Sequence, residues 1–132
     1  MAQFIKVVHP HSADYESLLS TKELNNSSVA LHVASHDSSA LLMGDLELAG
    51  FEVLHDNHPD LRVNVVKFPH HGGGWTQDET THLLNQTQPS VVVISVGTTS
   101  RGGTHLGKSN RYGHPAEGVF EALRGAFPKY DV

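Results

Sequence analysis

Apolar positions in this chain come in short runs parted by polar turns, and their period shifts between two and three-to-four. Phe4 to Val8 is apolar, rich in β-branched residues and closed by His9-Pro10, which predicts a short strand at a sheet edge. Ser12 to Asn26 is polar with a weak helical pattern and ends in the loop-like run Asn25-Asn26-Ser27-Ser28. From Val29 to Ala34 the residues alternate: Val29, Leu31 and Val33 fall on one face, Ala30, His32 and Ala34 on the other, as in a strand. His36-Asp37-Ser38-Ser39 is turn chemistry, and Ala40 to Met43 is a second run ending at Gly44-Asp45, so a hairpin is expected to deliver Asp45 at a strand end. Leu46 to His55 has an imperfect helical pattern that Pro59 terminates. Leu61 to Phe68 predicts a strand that stops at Pro69. Thr76 to Gln86 predicts a helix, with Thr76 and Glu79 at capping-box spacing. Val91 to Val96 is a continuous Val/Ile run suited to a strand buried on both faces. Strand, helix and strand at this spacing imply a parallel βαβ unit. After a polar loop from Gly97 to Gly113, a last helix is expected from Pro115 to Arg124, burying Val119, Phe120, Leu123 and Phe127.

The expected fold is therefore α/β, one domain over residues 1–132, with a mixed sheet, no internal repeat and no linker. The length of 132 residues supports a single core, and 38% hydrophobic with 17% charged residues marks a globular chain. No apolar run approaches the ~20 residues of a membrane span, and Met1 to Lys6 does not read as a signal peptide. As written, the chain reads as cytoplasmic. The absence of cysteine removes disulfides and thiolate metal sites, so any metal must be held by imidazole and carboxylate. A formal charge of −5 gives no support to a nucleic-acid or anionic-membrane surface. Eleven histidines are the compositional oddity.

Candidate chemistry gathers at the predicted strand ends. Phe68-Pro69-His70-His71-Gly72-Gly73-Gly74 closes a strand with two imidazoles beside three glycines, which permit positive φ and close backbone approach. Strand ends are where α/β proteins bind ligands. Asp45 closes another strand, and His114 follows the loop after the last one. Such donors suit zinc, manganese or iron. Each residue also has a plainer account: Asp45 as a helix cap, His114 as a polar residue before proline, the His-His-Gly run as a solvated turn.

Four motifs in order go further: Asn25-Asn26-Ser27-Ser28-Val29-Ala30-Leu31, Leu41-Leu42-Met43-Gly44-Asp45-Leu46-Glu47, Val66-Lys67-Phe68-Pro69-His70-His71-Gly72, and Ile94-Ser95-Val96-Gly97 with Asn110-Arg111-Tyr112-Gly113-His114-Pro115. Together they resemble the C-terminal half of a metallo-β-lactamase-fold domain, of the kind attached to competence-type (ComEC-like) DNA-uptake channel proteins and found alone in related hydrolases. The resemblance implies half of an αββα sandwich, with helices on one face of the sheet. It implies metal-dependent hydrolysis of a phosphodiester, with nucleic acid among the implied substrates, and two divalent ions, zinc or manganese, in the complete domain. Asp45 is implied as the carboxylate bridging the two metals, with His70, His71 and His114 completing the shell or contacting the leaving group. Asp45 and His71 are the implied catalytic pair; which of His70 and His71 is the ligand stays open.

The family's His-x-His-x-Asp-His motif, which supplies most metal ligands and belongs to the N-terminal half, has no counterpart here. His9-Pro10-His11-Ser12-Ala13-Asp14 imitates it with the aspartate one position late. The chain is thus expected to be incomplete as a catalyst, with a polypeptide bearing the missing half as partner, or else to be a non-catalytic remnant or partner-binding module. Gly102-Gly103-Thr104-His105-Leu106-Gly107-Lys108-Ser109 fits a phosphate-loop pattern. However, that loop needs a helix starting at its lysine, and Asn110-Arg111-Tyr112-Gly113-His114-Pro115 breaks one.

Overall fold

The computed structural model describes residues 3–20, 24–96 and 113–128. Five strands form one mixed sheet in the order of the sequence: β1 (Phe4–His9), β2 (Ala30–Ser35), β3 (Ser38–Leu42), β4 (Val65–Lys67) and β5 (Val91–Val93). The first three are antiparallel and the last two run parallel to β3. β1 is an edge strand, and β2 and β3 form the expected hairpin, with Ser35 paired to Ser38 across a two-residue turn. Two crossovers make the parallel part, one through α2 (Leu48–Asn57) and one through α3 (Gln77–Thr87); α1 (Tyr15–Ser20) is short and α4 (Glu117–Ala126) closes the fold.

Several predicted bounds shrink. Leu61 to Phe68 yields only the three residues of β4, and Val91 to Val96 only the three of β5. The last helix starts at Glu117 rather than Pro115, after a cis His114-Pro115 bond. The helix expected from Leu46 runs from Leu48 to Asn57. The Thr76–Glu79 capping box forms with both reciprocal bonds, so α3 begins where the spacing placed it.

One buried cluster unites the inward sheet positions Ala30, Leu41 and Val66 with Phe51 and Leu54 of α2, Leu83 and Leu84 of α3, and Val119 and Leu123 of α4. Trp75 fills the gap between layers, edge-on to Phe68 and Phe51. Gly118 lets α4 lie against the start of α3, since a Cβ there would sit 2.5 Å from the Gln77 amide nitrogen. Asn26 ties the N-terminal region together. It is buried, its carbonyl accepts from His9 Nε2 at 2.8 Å, and its Oδ1 accepts from the Gly50 amide at 2.8 Å.

The other face of the sheet differs. Residues in register across strands share a face, and the outward rows read Ile5–Val33–Ala40–Val65–Val91 and Val7–Leu31–Leu42–Lys67–Val93. All but Lys67 are apolar, yet each is exposed or half-exposed; Ile5 reaches 73%, Val7 55%, Val91 49% and Val93 45%. The expectation that Val91 to Val96 is buried on both faces is thereby corrected. The run is apolar on both sides, but described residues cover only one.

Three histidines are expected to weaken the fold in acid. Burial lowers the pKa of His9, with His11 adding and the Asn26 carbonyl and Asp14 opposing; burial also lowers His32 and His58, each further depressed by Lys6. A histidine whose folded pKa lies below its unfolded value of about 6.5 binds fewer protons when folded. Its stabilising contribution is complete above that value and is lost as the pH falls below it. The melting temperature is expected to drop between pH 7.5 and 5.5, and His9→Gln, which keeps a donor for Asn26 but does not titrate, should flatten part of the slope.

Candidate functional site

The ends of the parallel strands are stitched together by backbone bonds. The His70 amide donates to the Gly44 carbonyl at 3.0 Å, joining the segments after β4 and β3, and the Ala116 amide donates to Gly72 at 2.8 Å, bringing the segment before α4 alongside. The turn after β4 is tight and strained. His70 and His71 both hold positive φ, 46° and 53°, a region that costs a non-glycine residue free energy and persists where surroundings enforce it. The glycine run serves the same purpose: a Cβ on Gly72 would lie 2.7 Å from Pro115 Cβ, and one on Gly73 would lie 2.0 Å from His114 Cε1.

This framework sorts the predicted residues into two groups. His71 Nε2 lies 3.6 Å from Asp45 Oδ1, and on its far side His71 Nδ1 meets the Ser95 carbonyl at 2.5 Å, with the Ser95 hydroxyl 3.4 Å away. A backbone carbonyl accepts only, so Nδ1 donates to Ser95, while Nε2 is the ring nitrogen that faces the Asp45 carboxylate. His70 instead has Nδ1 3.2 Å from Glu47 Oε1 and its ring tilted against His114, centroids 5.4 Å apart. Among the described residues, no three His, Asp or Glu side chains converge closely enough to hold a metal ion. The four predicted donors are therefore placed as a pair, Asp45 with His71, beside a second pair, His70 with His114.

Glu47 is the site residue that the sequence reading did not single out. Its only sequence signal is its place two positions after Asp45; its role comes from contacts with distant residues. Its Oε1 also accepts from Asn25 Nδ2 at 3.1 Å, which gives the Asn25-Asn26 run a second structural task. A cleft of about 190 Å³ opens beside Glu47, lined also by Asn26, Gly74, Trp75 and Glu79. The imitation motif does not assemble. His9 is buried against Asn26, while His11 Nε2 lies 3.1 Å from His58 Nε2, away from Asp45. The phosphate-loop pattern Gly102 to Ser109 lies outside the described residues.

Gly73 offers a direct probe of this geometry. Its φ of −79° suits any residue, so alanine there perturbs only what the methyl touches. Gly73→Ala is expected to push the His114 ring out of place while leaving the fold intact, visible as a shifted His114 imidazole signal in NMR spectra with the amide spectrum otherwise retained.

Over 101 residues, 76% of this chain, the sequence is 35% identical to ComE operon protein 3 of Bacillus subtilis (strain 168). The chain is linked by homology to that protein. The matched stretch spans 11% of ComE operon protein 3, so the link concerns one segment of a much longer polypeptide. No family model matches the chain, and no solved structure does. Among the described residues, no helix is long and apolar enough to cross a membrane.

Proposed function

We propose that the chain is the C-terminal half of a metallo-β-lactamase-fold hydrolase domain, acting on phosphodiesters and completed by a polypeptide that carries the remaining metal ligands. The observation that carries this reading is the Asp45–His71 pair. Its 3.6 Å separation is shorter than the sum of two zinc–ligand bonds of about 2.0–2.2 Å each, so one cation can touch both. The hydrogen bond from His71 Nδ1 to a backbone carbonyl is the outer contact that metal-bound histidines generally make. The donor set is thus chemically suited to zinc or manganese.

In this reading Asp45 through its carboxylate and His71 through Nε2 would hold the cation, and His114 stands on the adjacent loop. A divalent cation held there supplies Lewis-acid activation of water and of the phosphoryl group. The chain's own part is to orient these donors through the strained turn and the backbone bonds that join the strand ends. Calorimetric titration with zinc tests the reading: weak binding by the chain, abolished in Asp45→Ala and His71→Ala, is expected, and equal binding by all three proteins would sink it.

The apolar outer face of the sheet favours a second reading, a non-catalytic module that docks a partner there. The two share a docking surface and part company over the metal, so the same titration separates them.

A further inference from the structure

Adjacent histidines at the end of one strand would ordinarily be taken as equivalent donors, but their neighbours differ here. His71 is fixed by Ser95 on one side and opens to Asp45 on the other. Glu47 Oε1 lies 3.2 Å from His70 Nδ1, close but without hydrogen-bond geometry, and the His70 ring is tilted against that of His114, which occupies the space left by the missing side chain of Gly73. Glu47 is itself held. It occupies the N-cap position of α2, yet its side chain makes no capping bond to that helix and instead takes a hydrogen bond from Asn25. The usual caps of first-turn amides are the shorter Ser, Thr, Asp and Asn; the longer Glu47 side chain reaches across the fold to Asn25 and the His70 ring.

We propose that Glu47 is a positioning residue that holds His70 as a brace for His114, so that of the two adjacent histidines only His71 is a metal ligand. The inference rests on the reading of Asp45 and His71 as part of a metal site and assigns the roles within it. Carboxylates that orient a histidine from the outside commonly change metal affinity by about 10–100-fold when removed, without being ligands themselves. Here Glu47 acts one step further out, on a histidine that is not itself a ligand, so a smaller effect is expected through His114, which has Gly73 on one side and His70 on the other.

The test uses the whole chain and Zn²⁺, read by ¹⁵N-edited NMR of the histidine imidazoles. In the wild type, zinc is expected to shift the His71 Nε2 resonance strongly and to leave both ring nitrogens of His70 nearly in place. Glu47→Leu should move the His70 and His114 ring signals before any metal is added and should weaken zinc binding by less than about tenfold, below the range for the direct partner of a ligand. Glu47→Gln keeps an oxygen facing Nδ1 and should restore both toward wild type. A His70 nitrogen that responds to zinc as a ligand does, or unmoved His70 and His114 signals in a folded Glu47→Leu chain, overturns the inference and leaves the metal reading standing. If no histidine responds to zinc, the metal reading itself fails. The wild-type titration decides the ligand question even if Glu47→Leu does not fold.

Discussion

Mixed with a polypeptide bearing His-x-His-x-Asp-His, the chain is expected to turn over a chromogenic phosphodiester that it leaves essentially untouched alone. The argument is a count of donors. A catalytic zinc needs about three protein ligands plus water, and two zincs sharing one carboxylate need more than Asp45, His71 and His114 supply, even with His70 added. Among the described residues these donors do not converge on one point. Asp45→Ala in the mixture should lower turnover by more than about 100-fold, beyond what loss of an outer-shell residue causes, because among the described residues the nearby Glu47 is engaged by Asn25 and His70 and is not placed to bridge. His105→Ala, in the polar loop, should leave turnover largely intact. Tight binding of two metals with turnover by the chain alone would mean that the site is complete without a second half.

Much of this architecture was legible because local rules and tertiary structure agree. The Thr76–Glu79 spacing names the start of α3, the period-two pattern names β2, the apolar run after the turn names β3, and Gly44-Asp45 falls just after that strand. The failures have a common cause. An apolar run reports that a segment can be buried, not how many of its faces are covered, and so Val91 to Val93 was expected to be enclosed and is not. The alternation in β2 separates two faces without saying which is covered, and it is Ala30 and Ala34, not the larger Leu31 and Val33, that are buried. Glu47 escaped notice because its chemistry is made by residues far from it in sequence. His11 ends beside His58 for the same reason, and no spacing rule relates those two positions.

The outward face of the sheet yields the other large expected effect. Five strands present two in-register rows with a single charge, Lys67, and a contiguous exposed apolar face of this kind is the usual mark of an interaction surface. Two sheets pack face to face about 10 Å apart through just such rows, so the ligand-bearing half is expected to dock here. Leu42→Glu separates docking from folding. Leu42 lies on the central strand β3, directly opposite Lys67 of β4. In the uncovered chain a glutamate there faces water and forms an opposite-charge cross-strand pair, worth a few tenths of a kcal/mol in its favour. The melting temperature should therefore shift by no more than about 3 °C. Covered by a second sheet, the same carboxylate must be buried with only Lys67 as partner, and the desolvation of the two charges costs several kcal/mol. Association with the ligand-bearing polypeptide, followed by calorimetry, and the turnover it restores should both fall by at least about 100-fold, a free-energy loss near 3 kcal/mol. Ile5→Glu, on the edge strand β1, should have a smaller effect. Undiminished association of Leu42→Glu would show that the second half binds elsewhere, and unfolding of the isolated variant would show that this face belongs to the chain's own core.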